Sequence, residues 1–247
     1  MIRTIGVIPA RFASTRFPGK PLELIAGKAL IQRVYEGATL SKTLTELIVA
    51  TDDQRIFDFV KSFGGNVVMT DVDIQTGSDR VWQAASNLDA DVIVNIQGDE
   101  PLINPDWLDK ITEPFKNSNS TEMVTLAKPI NENELEDKNI VKLVKDMNGN
   151  AIYFSRFPIP YSRGNFNSGQ VECYKHIGLY AYKKDFLKLF CEQKPTQLET
   201  LESLEQLRAL HLGAKIRVVE VQEDAIGVDH PEDIIKVEKI LKEKGLS

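Results

Sequence analysis

Three observations predict an α/β protein with a mostly parallel, mixed sheet flanked by helices. Short β-branched runs alternate with longer amphipathic stretches through the first half of the chain. The 247 residues are enough to bury a substantial core. Positive charge gathers directly after the first apolar run, where open α/β sheets bind ligands. The expected architecture is Rossmann-like, with right-handed crossovers and a binding site at the carboxyl ends of the strands.

Ile5–Ile8 reads as the first strand and precedes a helix around Ala29–Leu40. Leu47–Ala50 leads to a helix around Gln54–Phe63, and Val67–Met69 to one around Asp79–Leu88. Asp91–Ile96 reads as a central strand. Beyond Asn104 the rhythm loosens: Met123–Ile130 and Ile140–Lys145 read as strands, and Met147–Asn150 as a turn. Ala151–Phe154 runs into Phe157–Tyr161, where Pro158 and Pro160 forbid a regular helix. Lys175–Tyr182 is a further strand. Leu201, Leu204, Leu207 and Leu210 or His211 recur at helical spacing, which predicts one helix over Leu201–Leu212. Lys215–Val221 returns as a strand, and Pro231–Leu241 closes the chain as a helix. With no repeat, low-complexity tract or linker, residues 1–247 read as a single domain in which 123–182 form a β-rich inserted lobe.

The net charge of -6 argues against nonspecific nucleic-acid binding and against attachment to anionic lipid, since both need a broad basic face. No apolar run approaches the roughly 18 residues of a membrane span. Arg3 and Arg11 interrupt the first residues before a signal-peptide core could form, so a cytoplasmic protein is expected. Cys173 and Cys191 make no CxxC pair, and His176, His211 and His230 have no zinc-ligand spacing. Any metal should be a hard cation on carboxylates.

Three stretches carry the chemistry. Pro9–Pro21, PARFASTRFPGKP, places Arg11, Arg16 and Lys20 after a strand; from Met1 to Arg33 there are six Lys/Arg against one acid. Such a loop suits the phosphates of a small polyanion. Asn95–Pro101, NIQGDEP, delivers Gln97, Asp99 and Glu100 to the same sheet edge, with Gly98 allowing a ligand close to the backbone. Carboxylates facing phosphates call for a cation between them, which points to Mg²⁺. Asp229, in GVDHPEDI, is the third acidic position; its plainer reading is a helix N-cap.

Seven blocks in order, PARFASTRFPGKP, QTGSDR, NIQGDEP, AIYFSR, KHIGLYAY, LESLEQLRAL and GVDHPEDI, resemble the 3-deoxy-manno-octulosonate cytidylyltransferases from end to end of the chain. The resemblance implies a nucleotidyltransferase-type fold with a dimerisation and sugar-binding lobe. It implies a homodimer in which CTP and the acid sugar Kdo give CMP-Kdo and pyrophosphate with Mg²⁺, for lipopolysaccharide synthesis. Carried over by motif, Ala10, Arg11, Ser14, Arg16 and Lys20, with Ser78, Arg80 and Gln97, bind the nucleotide. Lys20, Arg11, Asp99 and Asp229 are catalytic, and Asp99 and Asp229 are the metal ligands. Arg156, Arg163, His176, Tyr180, Glu205 and Gln206 form the sugar pocket.

The plainer alternatives are an exposed Glu205–Arg208 pair, surface ion pairs for Arg156 and Arg163, and a packed strand face for His176 and Tyr180. Residues 75–80, QTGSDR, depart from the Ser-Gly-Thr-Glu-Arg type expected at that block. Competing functions are a synthetase for 8-amino-Kdo or sialic acid, a glycosyltransferase, and a nucleotide sensor. Glycosyltransferases commonly offer Asp-x-Asp where this chain has Asp99-Glu100-Pro101. A sensor would need the first loop but neither Asp229 nor the sugar pocket.

Overall fold

β1 (Thr4–Ala10) is buried on both faces, with Ile5, Val7 and Ile8 fully enclosed, as a strand at the centre of a parallel sheet must be. Each such side chain contributes about 1.5–3 kcal/mol by leaving water. The computed structural model describes residues 2–13, 17–117, 120–161, 163 and 173–245, so Ser14 and Arg16 lie outside the described residues. The chain divides into two units, Met1–Asp109 with Ala225–Ser247, and Lys110–Asp224.

In the first unit, β1 is followed by a small hairpin of β2 (Leu24–Ile25) and β3 (Lys28–Ala29), then by α1 (Leu30–Ala38). β4 (Glu46–Thr51) pairs parallel with β1, and α2 (Gln54–Ser62) leads to β5 (Val67–Met69), parallel to β4. α3 (Gly77–Ala85) precedes β6 (Val92–Asn95), which lies parallel on the other side of β1. The expected strand-helix alternation is therefore present, with element ends shifted by a few residues. α4 (Pro105–Asn117) lay in the stretch read as irregular. Its Pro105 occupies the first helical position, where a missing N–H costs nothing, and Trp107, Leu108, Ile111 and Phe115 form its buried stripe.

The second unit carries β7 (Met123–Pro129), β8 (Lys142–Lys145), β9 (Ala151–Ser155) and β10 (Cys173–Lys183), joined by antiparallel pairs β10–β7, β10–β8 and β8–β9. α5 (Lys184–Glu192) was not anticipated, although Phe186, Leu187 and Phe190 follow helical spacing. β11 (Ile216–Glu220) pairs parallel with β7. This unit begins before and ends after the 123–182 stretch, and α5 packs on β10. The chain then returns to the first unit with α8 (Pro231–Glu243), whose Val237 and Leu241 join Phe17, Ile25, Leu30 and Val228 in one apolar cluster.

The single helix predicted over Leu201–Leu212 is two helices, α6 (Gln197–Glu202) and α7 (Gln206–His211). Ser203 between them is left-handed at φ 53, and Leu201, counted in the apolar stripe, is 73% exposed. A buried ion pair explains the break. Arg208 donates to both carboxylate oxygens of Glu199, through Nε at 2.9 Å and through Nη2. In a continuous helix these residues would stand about 13 Å apart along the axis, beyond such a contact. Arg208 is also buried and stacked on Phe190, so it is no member of an exposed pair with Glu205. Arg208→Ala should strand the Glu199 carboxylate and cost roughly 3–5 kcal/mol, measured by urea unfolding. A double variant with Glu199→Gln should recover part of that loss.

Candidate active site

The parallel register places the ends of three strands together in the first unit: Ala10 faces Thr51 across β1 and β4, and Val7 faces Asn95 across β1 and β6. Arg11, Asp52 and the Gln97–Pro101 loop therefore leave the sheet at one edge. Ala10 itself is buried, whereas Arg11 is exposed and reaches the carbonyl of Gln75 at 3.3 Å. That contact brings the QTGSDR block beside the basic loop. Thr76 caps α3, accepting the Asp79 N–H at 3.1 Å and donating to its carboxylate at 2.8 Å, which gives the Asp at this departure a structural use.

Lys20 is the centre of the site. Gly19, left-handed at φ 75, delivers it into a short 3-10 turn. Its Nζ donates to the Asp99 carboxylate at 3.0 Å and to the Val228 carbonyl at 2.8 Å, and stands 3.8 Å from the Asp229 carboxylate. Three segments remote in sequence thus meet at one ammonium whose side chain is only 16% exposed. The Val228 N–H donates to the Asp99 carbonyl at 2.9 Å and fixes the two acidic loops to each other.

Asp229 is not the helix cap of the plainer reading. His230 takes the N-cap position, and the Asp233 carboxylate accepts the N–H groups of both Asp229 and His230 at 3.0 Å. Lys236, then the His230 and Asp229 N–H groups, hold Asp233 down to about 2, so it caps as an anion. Glu100 turns inward instead of joining Asp99. Burial, and after it the Asp99 charge, pushes it up to about 8, so it is mainly neutral at pH 7. Gly98 is required by the chain rather than by a ligand: a Cβ there would sit 2.6 Å from the Pro9 carbonyl oxygen.

Among the described residues no group of three His, Cys, Asp or Glu could hold a metal. Asp99 and Asp229 nevertheless share one cation already, and two hard carboxylates, with substrate oxygens and water completing the shell, are a donor set that fits Mg²⁺. Arg80 and Ser78, assigned to the nucleotide, are buried. The Arg80 guanidinium donates to Asp52 at 2.7 Å and to Thr70, so it ties α3 to the ends of β4 and β5. Gln97 is half-buried in the loop after β6. Sequence reading passed over Asn95, whose Oδ1 is buried with no hydrogen-bond partner among the described residues. An Asn ending a Val-Ile-Val run was the available signal.

In the second unit His176, Tyr180, Glu205 and Gln206 line one cavity of about 370 Å³, together with Lys175 and Ser203. His176 and Tyr180 also pack as the strand-face reading expects, with ring centroids 5.5 Å apart and His176 against Phe154 at 5.1 Å. The Tyr180 hydroxyl donates to Gln206 Oε1 at 3.2 Å, while the buried Gln206 Nε2 has no partner among the described residues. Among the described residues Arg156 has no ion pair through its side chain. Its Nε donates to the Glu202 carbonyl at 2.9 Å and its Nη2 to the Ser203 carbonyl at 3.5 Å, bracing the bend that precedes Glu205 and Gln206. Arg163 is exposed and is not among the residues lining the cavity. Lys175, also passed over, is held between Glu134 and Asp224 at 3.0 and 2.9 Å.

Comparison with known proteins gives the family of the chain. The cytidylyltransferase family model matches residues 5–216. A 3-deoxy-manno-octulosonate cytidylyltransferase of Bdellovibrio bacteriovorus is 51% identical over 99% of this chain and 100% of its own. The chain belongs to that family. A second member, from Geobacter sulfurreducens, is 49% identical over 96% of this chain and 98% of its own. A solved CMP:2-keto-3-deoxy-manno-octonic acid synthetase in complex with CTP superposes with a TM-score of 0.93 at 38% identity, covering 98% of this chain and 99% of that one. The 4-diphosphocytidyl-2C-methyl-D-erythritol synthase of Anaerococcus prevotii shares the fold at a TM-score of 0.65 and 16% identity, over 97% and 99% of the two chains.

Burial pushes His176 down to about 3 from an ordinary 6.5, so its imidazole is neutral at working pH and serves as a hydrogen-bonding group near Thr125, 2.9 Å away. Between about pH 6.5 and 3 the unfolded chain binds a proton that the folded chain refuses, so stability falls as pH falls through that window. His176→Gln should flatten the decline in urea midpoint between pH 7 and pH 4.5.

Proposed function

We propose that this chain transfers the cytidylyl group of CTP to 3-deoxy-manno-octulosonate, giving CMP-Kdo and pyrophosphate with Mg²⁺ at Asp99 and Asp229. Family membership supports the reaction, and the convergence of Lys20, Asp99 and Asp229 carries the site. In nucleotidyl transfer the protein mainly positions reactants in line and neutralises charge on phosphate oxygens and leaving group. Arg11 and Lys20 are the described cations for the triphosphate, and Ser14 and Arg16 are assigned to it on resemblance. Bound by the two aspartates, Mg²⁺ would neutralise phosphate charge and acidify the attacking sugar hydroxyl.

The acceptor is assigned to the cavity of His176, Tyr180, Glu205 and Gln206. Its walls offer hydroxyl, carboxylate and amide groups for a polyhydroxylated sugar, and the unpartnered Gln206 Nε2 is a donor for one of its oxygens. Lys175 also borders this cavity, but its ammonium is held between Glu134 and Asp224, so the sugar carboxylate is assigned to Arg163, on resemblance. The sugar hydroxyl attacks the α-phosphorus directly, so no covalent enzyme intermediate is needed. A homodimer is part of the proposal; exposed Ile152, Phe157 and Tyr161 in the second unit are apolar surface for pairing two copies. A cytoplasmic place fits a consumer of CTP, and no helix among the described residues is long and apolar enough to cross a membrane.

Pyrophosphate should appear only with CTP, Kdo and Mg²⁺ together, and chelation should stop its release. Asp99→Asn and Asp229→Asn should each slow turnover by roughly 10² or more. Four nucleotides assayed against Kdo, 8-amino-Kdo and sialic acid check the substrates: equal turnover with sialic acid would reject the Kdo assignment. Full activity in both aspartate variants would reject the metal site.

A further inference from the structure

The first loop is braced from outside by residues the reaction does not use. Phe12 stands two residues beyond β1, and the Arg55 guanidinium carbon lies 3.3 Å from the centre of its ring. Arg55 is held flat there by Asp53, which accepts from Nε at 2.9 Å and from Nη2 at 2.7 Å. Asp53 is fixed in turn: it caps α2, accepting the Arg55 N–H at 2.9 Å, and its own N–H reaches Thr51 Oγ1 at 3.2 Å. On the loop side, the Phe12 carbonyl accepts the Gly19 N–H at 2.9 Å. The ring itself crowds Gly19, where a Cβ would lie 3.1 Å from Phe12 Cζ. Gly19 is the residue before Lys20.

We propose that Arg55 and Phe12 are positioning residues for the nucleoside triphosphate, setting Gly19 and hence the Lys20 ammonium from the anchored end of β4. The inference rests on reading the first loop as the CTP site. The geometry matters because an exposed ion pair alone contributes little, and the Arg55 side chain is 61% exposed. A planar guanidinium clamped by a carboxylate onto a ring fixes orientation as well as charge, which Lys could not reproduce. The benefit is preorganisation: a loop end already held needs less ordering when the polyanion binds.

Steady-state pyrophosphate release with CTP varied tests this in the full chain. Arg55→Ala and Phe12→Leu should each raise KM for CTP roughly three- to tenfold, the size of one cation–π contact plus its ion pair. Because these residues act on the triphosphate end of the reaction, KM for Kdo should stay within about twofold. Arg55→Lys should behave like Arg55→Ala, while Phe12→Tyr, which keeps the ring, should restore wild-type KM. The double variant should be no worse than the poorer single one, since both break one stack. Unchanged KM for CTP in Arg55→Ala, or full rescue by Arg55→Lys, overturns the proposal. Arg11→Ala separates the two levels: if it raises KM for CTP while Arg55→Ala does not, only the bracing role fails. If neither raises it, the nucleotide reading of the loop fails as well.

Discussion

The Lys20 ammonium is the point at which two acidic loops remote in sequence meet. Asp99 and Asp229 both approach it, at 3.0 and 3.8 Å, and Val228 gives its carbonyl as a third acceptor. The ammonium offsets the repulsion between the two acids, while the Val228 N–H on the Asp99 carbonyl ties their loops together. The rest of the first unit is arranged around that balance. Glu100, which would add a third negative charge, is buried and mainly neutral, and the cap of α8 is supplied by Asp233. A concentration of cations directly after β1 adds positive charge at the same edge of the sheet.

Rigid backbone contacts make such charge balance usable. Gly98 presses against the Pro9 carbonyl, so the acidic loop cannot drift from β1. Arg80 binds Asp52 and Thr70 and fixes α3 at the ends of β4 and β5. In the second unit hydrogen bonds shape the wall of the cavity. Arg156 braces carbonyls on either side of the left-handed Ser203, and the bend lets Glu205 and Gln206 face a cavity already walled by a neutral His176 and Tyr180. Neutral, directional groups suit a ligand recognised by its hydroxyls.

Legibility in the sequence followed the range of each signal. β5 was read to the residue, and β4 and β6 to within one, because β-branched runs carry their own signature. α4 escaped because the strand-helix rhythm loosens after Asn104, although its Pro105 stands where proline is harmless. The leucine repeat at 201–210 was real but misled: Leu204 and Leu207 are buried and Leu201 is not, since the Glu199–Arg208 pair bends the chain between them. Residue type and resemblance pointed to Lys20, Asp99 and Asp229, which the fold brings together, while the inward turn of Glu100 and Arg80 left no trace in either.

The amino-acid order alone determined where strands form, which end of β1 is cationic, and to which family the chain belongs, because periodicity, local charge and ordered motifs are properties of neighbours in sequence. Tertiary structure decided which acid meets the lysine, which is buried and neutral, and which residue caps α8. Those outcomes depend on contacts such as the Val228 N–H on the Asp99 carbonyl, made across the length of the chain. A carboxylate's role is set by what surrounds it, and its surroundings exist only once the chain has folded.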